Sequence, residues 1–538
     1  MTHHPDDAVD GPGFATLSVA SMLSETAARA PDRAALHFSG ATISYGRLWA
    51  ETCAYAGALR RRGIGRGDRV AVLVPNVPDF VRVYYAVLAL GAVVVPVHLL
   101  FKAREIEHVL RDSGADLAVV AAPVLDEALP AAWSAGVPII TVLAAPEADG
   151  SNLPQLEVEA AAATPIRRVV PVHPMDAATI LYTSGTTGTP KGAVGSHLAM
   201  VEQIHATLLD AIEIRPDDVV FGGLPLFHAF GQSAVLNLAF RRGASIILLP
   251  RFHPDEALDL LILHRATVFT AVPTMFVGMI AAVARRDERP PLRFAISGGA
   301  ALPVTVLEAF SAAFGAQVHE GYGLTEAGPT VAVNSVYEPV RPGTVGRPLW
   351  GMEVAIAQPE VEGRIELLES PDALGEIVVR GPNLFKGYLG HPAESAEAVV
   401  DGWLRTGDLG TLDRDGILTI VDRLKDLVVR NGYNVYPTEV ESVLMQHPDV
   451  AVAAVFGLPD EVHGQEVHAA VVARQGHVVD PDQVVDFTRP RLAAFKYPRV
   501  IHVMEALPVG ASGKVLKREL VATFTGTHPV TDVGPGDR

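Results

Sequence analysis

Residues 178–192, ATILYTSGTTGTPKG, decide how this chain is read. The first five are aliphatic, aromatic or β-branched and predict a strand. The run Thr183-Ser184-Gly185-Thr186-Thr187-Gly188-Thr189-Pro190-Lys191-Gly192 then changes character. Glycines let a backbone curl until several N–H groups converge on one anion. Hydroxyl side chains add donors, and Lys191 adds a positive charge. Such a loop suits a polyphosphate. A Walker A loop runs through Gly-Lys-Ser/Thr straight into a helix; here Pro190 stands where its second Gly would be, and 192–194 read as another strand. By composition alone, a Gly/Thr hairpin that binds nothing stays open.

Working outward, strand and helix patterns alternate on both sides of the loop. Before it, 47–62, 79–90 and 102–112 read as helices with Gly just beyond each end, and 69–74, 116–121 and 138–143 as strands. After it come a helix over 196–211 and strands at 218–223 and 245–249. A helix at 258–265, strands at 268–271 and 294–297 and a helix at 304–314 continue the alternation. This predicts parallel α/β layers. Between 343 and 422 short strands with frequent Gly and Pro predict a small antiparallel or barrel-like unit. Beyond Lys425 a turn at Asn431-Gly432, a helix at 438–446 and strands at 450–456 and 467–473 predict a compact α+β domain. From about 525 the chain reads as a loose tail.

The fold class expected is therefore α/β. A large N-terminal domain over 1–424 holds two layered α/β subdomains and the barrel-like unit, and a smaller mobile α+β domain covers 425–538. A length of 538 residues exceeds one ordinary core. Hydrophobic residues make up 49% and charged residues 19%, the composition of a packed chain. The net charge of −18 argues against nucleic acid as partner. With one cysteine, Cys53, no disulfide framework or cysteine metal site can form within the chain. The polar start lacks a signal-peptide layout, and a cytoplasmic protein is expected. The apolar stretch 83–101 approaches spanning length, but Gly91, Pro96 and His98 interrupt it. A helix closed by Gly91 and followed by a buried strand over 92–95 is the expectation, with no transmembrane segment.

Further motifs follow the loop in a fixed order: Gly321-Tyr322-Gly323-Leu324-Thr325-Glu326, Thr406-Gly407-Asp408, Asp422-Arg423-Leu424-Lys425-Asp426, Asn431-Gly432-Tyr433-Asn434-Val435-Tyr436-Pro437, and Gly513-Lys514. Together with the loop they resemble the signatures of the acyl-adenylate-forming superfamily. That superfamily contains acyl-CoA synthetases, coumarate-CoA ligases, firefly luciferase and peptide-synthetase adenylation domains. The resemblance covers about residues 20–520, and several separate motifs in order make it specific. It implies an AMP-forming acid–thiol ligase using ATP, Mg²⁺ and CoA.

The resemblance also implies roles. Thr183, Ser184, Gly185, Thr186, Thr187, Gly188 and Lys191 would hold the polyphosphate. Tyr322, between Gly321 and Gly323, would stack on adenine. Thr325 would meet the α-phosphate, and Glu326 would help hold Mg²⁺, a hard ion that takes carboxylate oxygen. Asp408 has paired acceptors for the ribose hydroxyls, with Arg423 donating from the other side. Lys514 would be the catalytic lysine of adenylation, spanning two anionic reactants as charge redistributes. Lys517 beside it reads as an ordinary exposed lysine. Lys425 marks the hinge about which the small domain turns, bringing Arg430, Asn431, Gly432 and Tyr433 to line the CoA tunnel. Arg430 there would touch CoA phosphates or face solvent.

His228, in Pro225-Leu226-Phe227-His228, would sit where the acyl pocket meets the thiol path, gating access rather than acting as a general base. The acyl pocket would be lined by His228, Ser297, Gly298, Gly299, Ala300 and Gly321, the glycines leaving room for a chain. Malonate-type relatives carry Arg where this chain has Gly321, which disfavours a dicarboxylate. Medium- or long-chain fatty acids lead, with aryl and cinnamate-type acids next. Transfer to a carrier protein, luciferase-like oxygenation and a silent acyl or nucleotide binder stay open, as does a homodimer.

Overall fold

The computed structural model describes residues 17–143, 153–183, 190–474, 476–510 and 515–525 of the chain. The expected tail beyond 525 lies outside these residues. Among them the strands form four sheets. A six-stranded sheet runs Ile139–Val142, Leu117–Ala121, Arg69–Leu73, Val93–Pro96, Ala177–Thr183, Lys191–Ser196. Its first four strands are parallel neighbours, and the last two form an antiparallel pair whose register sets Thr183 opposite Lys191. The chain therefore leaves the Thr/Gly-rich loop in a strand, not a helix.

A nine-stranded sheet carries the other α/β layer. Its centre is parallel: Ser245–Leu248, Val219–Gly222, Val268–Ala271, Phe294–Ser297 and Gln317–Tyr322 are successive neighbours. Alternate side chains of these strands enter opposite cores, as the two-residue period requires. Val220, Ile246 and Ile296 join the core shared with the first sheet. Phe221, Ile247 and Ala295 face a second core, where Phe269, Phe276 and Phe310 pack ring against ring. Burial on both faces explains the near-continuous apolar runs of these strands.

The stretch near spanning length resolves into helix Pro78–Ala89 and strand Val93–Pro96, with Gly91 at φ +69 between them. No described helix is long and apolar enough to cross a membrane. Between 343 and 423 the strands Glu353–Ala357, Gly375–Arg380, Val399–Val400, Trp403–Leu412 and Leu418–Arg423 make an antiparallel five-stranded sheet. The last sheet lies wholly beyond Lys425 and joins hairpin Val428–Arg430/Tyr433–Val435 to Val450–Asp460, Gly464–Ala473 and Val500–Met504. That hairpin turns on Asn431 and Gly432 at φ 53 and 77, the paired left-handed conformation that Asn-Gly favours in a two-residue turn.

Candidate active site

The carboxyl ends of the parallel strands open into one cleft of about 1520 Å³, the usual place for a ligand in a parallel α/β sheet. Strand Phe294–Ser297 delivers Gly298 and Gly299 to it, and strand Gln317–Tyr322 delivers Gly321 and Tyr322. Thr183 and Lys191 reach it from the ends of their paired strands. Asp408 and Arg423 arrive from the antiparallel unit, where they are cross-strand partners. Five separate motifs thus meet on one cavity wall.

Their side chains are already connected. The Tyr322 hydroxyl donates to Asp408 Oδ2 at 2.7 Å, while Arg423 Nε lies 3.0 Å from Asp408 Oδ1. The Asp408 side chain is only 6% exposed, so both contacts act where water competes little. The turn before it is fixed by a residue that the motif does not contain. Glu376 accepts from the Gly407 amide at 3.0 Å and takes both Nε and Nη2 of Arg405. Glu326 accepts from the Tyr388 hydroxyl at 2.9 Å and from Thr183 Oγ1 at 3.3 Å, tying the Thr325 turn to the loop's entrance. Lys191 lies 3.3 Å from Glu394 and 5.8 Å from the Tyr388 ring centre. Tyr388, Glu376 and Glu394 carry no motif signal; each finds its partner only in three dimensions.

His228 and Thr325 line the cleft as expected. The Phe230 amide donates to His228 Nδ1 at 3.3 Å, which favours the tautomer with its proton on Nε2. The chain then runs through a π-helical segment, Gly231–Asn237, which composition could not reveal. Gly298 and Gly299 line the cleft, but the space at Gly298 is filled: an added Cβ would sit 2.8 Å from the Phe230 ring. Ser297 is buried behind the wall with its hydroxyl unpartnered, and Ala300 is exposed; neither lines the cleft.

Lys425 lies in the single helical turn Leu424–Asp426 and lines the cleft, where desolvation and then the neighbouring Arg423 charge lower its pKa. Arg430 neither faces solvent nor lines the cleft. It is 7% exposed and forked onto Glu466 at 2.8 and 2.9 Å. Asn431, Gly432 and Tyr433 also lie off the cleft, with Tyr433 stacked on Phe495 at 4.9 Å. Lys517 is not the ordinary exposed lysine expected: its side chain is 20% exposed and lies 2.8 Å from Glu441. Ser184, Gly185, Thr186, Thr187, Gly188 and Lys514 lie outside the described residues. Gly510 and Leu516, which bracket 511–514, line the cleft.

Among the described residues no group of three or more His, Cys, Asp or Glu could hold a metal by itself. Glu326 is nevertheless a hard oxygen donor on the cleft wall, which suits Mg²⁺ held mainly by substrate phosphates.

Comparison with known proteins agrees with this assembly. Residues 23–389 match the family described as AMP-binding enzyme, and 439–514 match the AMP-binding enzyme C-terminal domain. The chain is 33% identical to a long-chain-fatty-acid–CoA ligase of Bacillus subtilis, over 98% of this chain and 99% of that one. It is 34% identical to a feruloyl-CoA synthase of an Amycolatopsis species, over 92% and 96%. The crystal structure of ATP-bound MatB from Rhodopseudomonas palustris superposes with a TM-score of 0.86 at 31% identity, covering 96% of this chain and all of that one (100%).

Proposed function

The chain belongs to the AMP-binding enzyme family as an AMP-forming acid–thiol ligase, and on that footing we propose that it activates a medium- or long-chain fatty acid and passes the acyl group to the thiol of CoA. The observation that carries the choice of acid is the apolar part of the cleft wall. Ile212, Ala234, Leu238, Ile296 and Val333 belong to it, and the position before Tyr322 is Gly321. Those six residues offer an apolar tail a partner and a second carboxylate none, so the free energy of burying methylenes favours a chain.

The reaction follows from the residues on the wall. The acid's carboxylate attacks the α-phosphorus of ATP, and pyrophosphate leaves. Asp408 and Arg423 fix the ribose, Tyr322 stacks on adenine, and Thr325 donates to the α-phosphate. Lys514 spans both anionic partners in the transition state, where a fixed positive charge helps most. Bound Mg²⁺ would neutralise polyphosphate charge, with Glu326 its protein ligand. The division into 1–424 and 425–538 then serves the second half-reaction. Turning at Lys425 withdraws Lys514 and carries the hairpin at Asn431, Gly432 and Tyr433 toward the cleft for thiol entry. The bidentate pair with Glu466 gives Arg430 a supporting role in that hairpin.

An aryl acid is the second reading. Phe227 and Phe230 line the same cleft, and the feruloyl-CoA synthase is as similar as the fatty-acid ligase. Pyrophosphate release from purified protein, followed over saturated fatty acids of graded length, cinnamic acids and short dicarboxylates, decides between them. Each acid is run with and without CoA, and thioester is measured directly. Medium or long aliphatic acids should lead and yield acyl-CoA. Turnover confined to aromatic acids, or acyl-adenylate that never reaches CoA, overturns the proposal.

A further inference from the structure

Lys517 lies three residues beyond Lys514 and opens helix Lys517–Thr525. A lysine gives up hydration when it is buried, so the contact with Glu441 needs a reason. Glu441 is itself held, since its Oε1 accepts from the Val455 amide at 2.8 Å. Burial works against the Lys517 charge, yet Glu441, Asp422 and Asp426 together raise its pKa, so it stays an ammonium. Two of those acids lie at the hinge itself, one on each side of Lys425.

Asp422 is the more telling of the two. It is 6% exposed, and both oxygens are used: Oδ1 accepts from the Arg423 amide at 2.8 Å and Oδ2 from the Thr438 amide at 2.9 Å. Thr438 is the second residue of helix Pro437–Leu444, whose N-cap, Tyr436, supplies no side-chain acceptor. The carboxylate that satisfies the helix end thus comes from the far side of the hinge, where it also meets the helix dipole favourably. Glu441 is on the same helix. One small cluster therefore joins the strand that ends at the hinge, the first helix beyond it, and the helix that follows Lys514. Arg423, which pairs with Asp408, is next to Asp422 in sequence.

We propose that Asp422, Glu441 and Lys517 are positioning residues for adenylation: Asp422 holds helix Pro437–Leu444 across the hinge, and the Glu441–Lys517 pair fixes to that helix the segment that follows Gly510 and Leu516, which line the cleft. A turn at Lys425 moves Thr438 away from Asp422, and with it Glu441 on the same helix and Lys517 paired to it, because a hydrogen bond of this length does not survive rotation of one partner's domain. The cluster favours the first half-reaction and must open for the second. The proposal rests on the two-step ligase reading above and on Lys514 as its catalytic lysine.

The test uses full-length enzyme and the variants Lys517→Ala, Lys517→Arg, Asp422→Ala and the Asp422→Ala/Lys517→Ala double. Three quantities are read: pyrophosphate release from acid and ATP without CoA, thioester formation from supplied acyl-adenylate and CoA, and the melting temperature. Lys517→Ala, which breaks the pair with Glu441, and Asp422→Ala, which frees the Thr438 amide, should each slow adenylation by ~10-fold, the scale of coupling within one network, while thioester formation holds or rises. Lys517→Arg should restore most of the loss, and the double variant should fall short of the product of the single effects. Parallel loss of both half-reactions with a lowered melting temperature would mark a merely structural cluster and sink the proposal, as would unchanged adenylation. If the wild-type enzyme makes no acyl-adenylate from any acid, the ligase reading fails first. If Lys514→Ala adenylates normally, the catalytic lysine is misassigned and the cluster has nothing to position.

Discussion

Replacing Tyr322 by Phe removes one oxygen and keeps the ring, so it separates two roles that share a side chain. The lost hydroxyl donates to Asp408 Oδ2 at 2.7 Å. A hydrogen bond to a buried charged group is worth about 1.5–3 kcal/mol. Arg423 remains on the other oxygen, so the carboxylate is not stranded and the lower figure applies. About 1.5 kcal/mol corresponds to roughly tenfold in binding. Because the hydroxyl orients Asp408 in the ground state and the transition state alike, KM for ATP should rise by roughly that factor with kcat little changed. Tyr322→Ala also loses the aromatic face, worth a further ~1–3 kcal/mol by analogy with base stacking, for a total near ~10²–10³. Initial rates of pyrophosphate release against ATP concentration, at saturating acid, read both variants. An unchanged KM in Tyr322→Phe, or a fall in kcat with KM fixed, refutes the assignment of Asp408 to the ribose.

Three other substitutions test the cleft's supports. Burial raises the Glu320 carboxyl from its usual 4.5 to about 7, although the Leu302 amide donates to it. The folded state therefore keeps a proton that the unfolded state has lost, and the stability tied to it is full below pH 4.5 and gone above about 7. At 1.36 kcal/mol per unit this amounts to about 3 kcal/mol, so Glu320→Gln should melt higher than wild type near pH 8, with the gap closing toward pH ~4.5; a gap that does not move with pH contradicts the placement. Gly323→Ala would set a Cβ 1.8 Å from the Pro329 carbonyl oxygen, forcing apart the turn that carries Thr325 and Glu326. Adenylation should drop by ~10² or more from that misplacement. Gly321→Ala meets Val333 at an ordinary 3.5 Å and should change acid preference while leaving KM for ATP alone; equal losses from both would refute the steric argument.

How much of this was legible in the sequence depends on how local each signal is. Strands Val268–Ala271 and Phe294–Ser297 and helix Val304–Phe314 have the bounds their patterns predict. Asn431-Gly432 announces its turn because the chemistry sits in two adjacent residues. Strand Gln317–Tyr322 was hidden because its end doubles as a motif that reads as loop. Helix Leu125–Ala135 was hidden by Pro130 within it, and helix Pro273–Val283 by an apolar surface with little periodic contrast. The expected helix over 196–211 is α-helical only over His197–Ala206, then π-helical over Thr207–Ala211. The site divides the same way. Tyr322, Glu326, Asp408 and Arg423 stand in recognisable strings. Their partners do not: Tyr388 and Glu326 are 62 positions apart, Glu376 and Gly407 31.

The opening loop and the net charge of −18 point in opposite directions until distance is considered. ATP, CoA and a carboxylate are all anions, and a uniformly acidic surface would repel them. At physiological ionic strength exposed charges are screened beyond about 8 Å, so what matters is which groups stand at the cleft wall. There three of the cations are held in place by acids: Lys191 by Glu394, Arg423 by Asp408, Arg405 by Glu376. Each pairing fixes a donor before substrate arrives, which lowers the ordering cost of binding. Each also neutralises part of the charge that an anion would feel. The two effects need not balance equally. Among the described residues Lys191 has one acidic partner, Glu394 at 3.3 Å on a short helix, and under the proposed function it would exchange that partner for a phosphate oxygen. Arg405 is locked onto a buried Glu376, which is 3% exposed, and serves the turn instead. The acidity of the chain is thus compatible with ATP, because a few oriented cations at short range outweigh the mean surface charge.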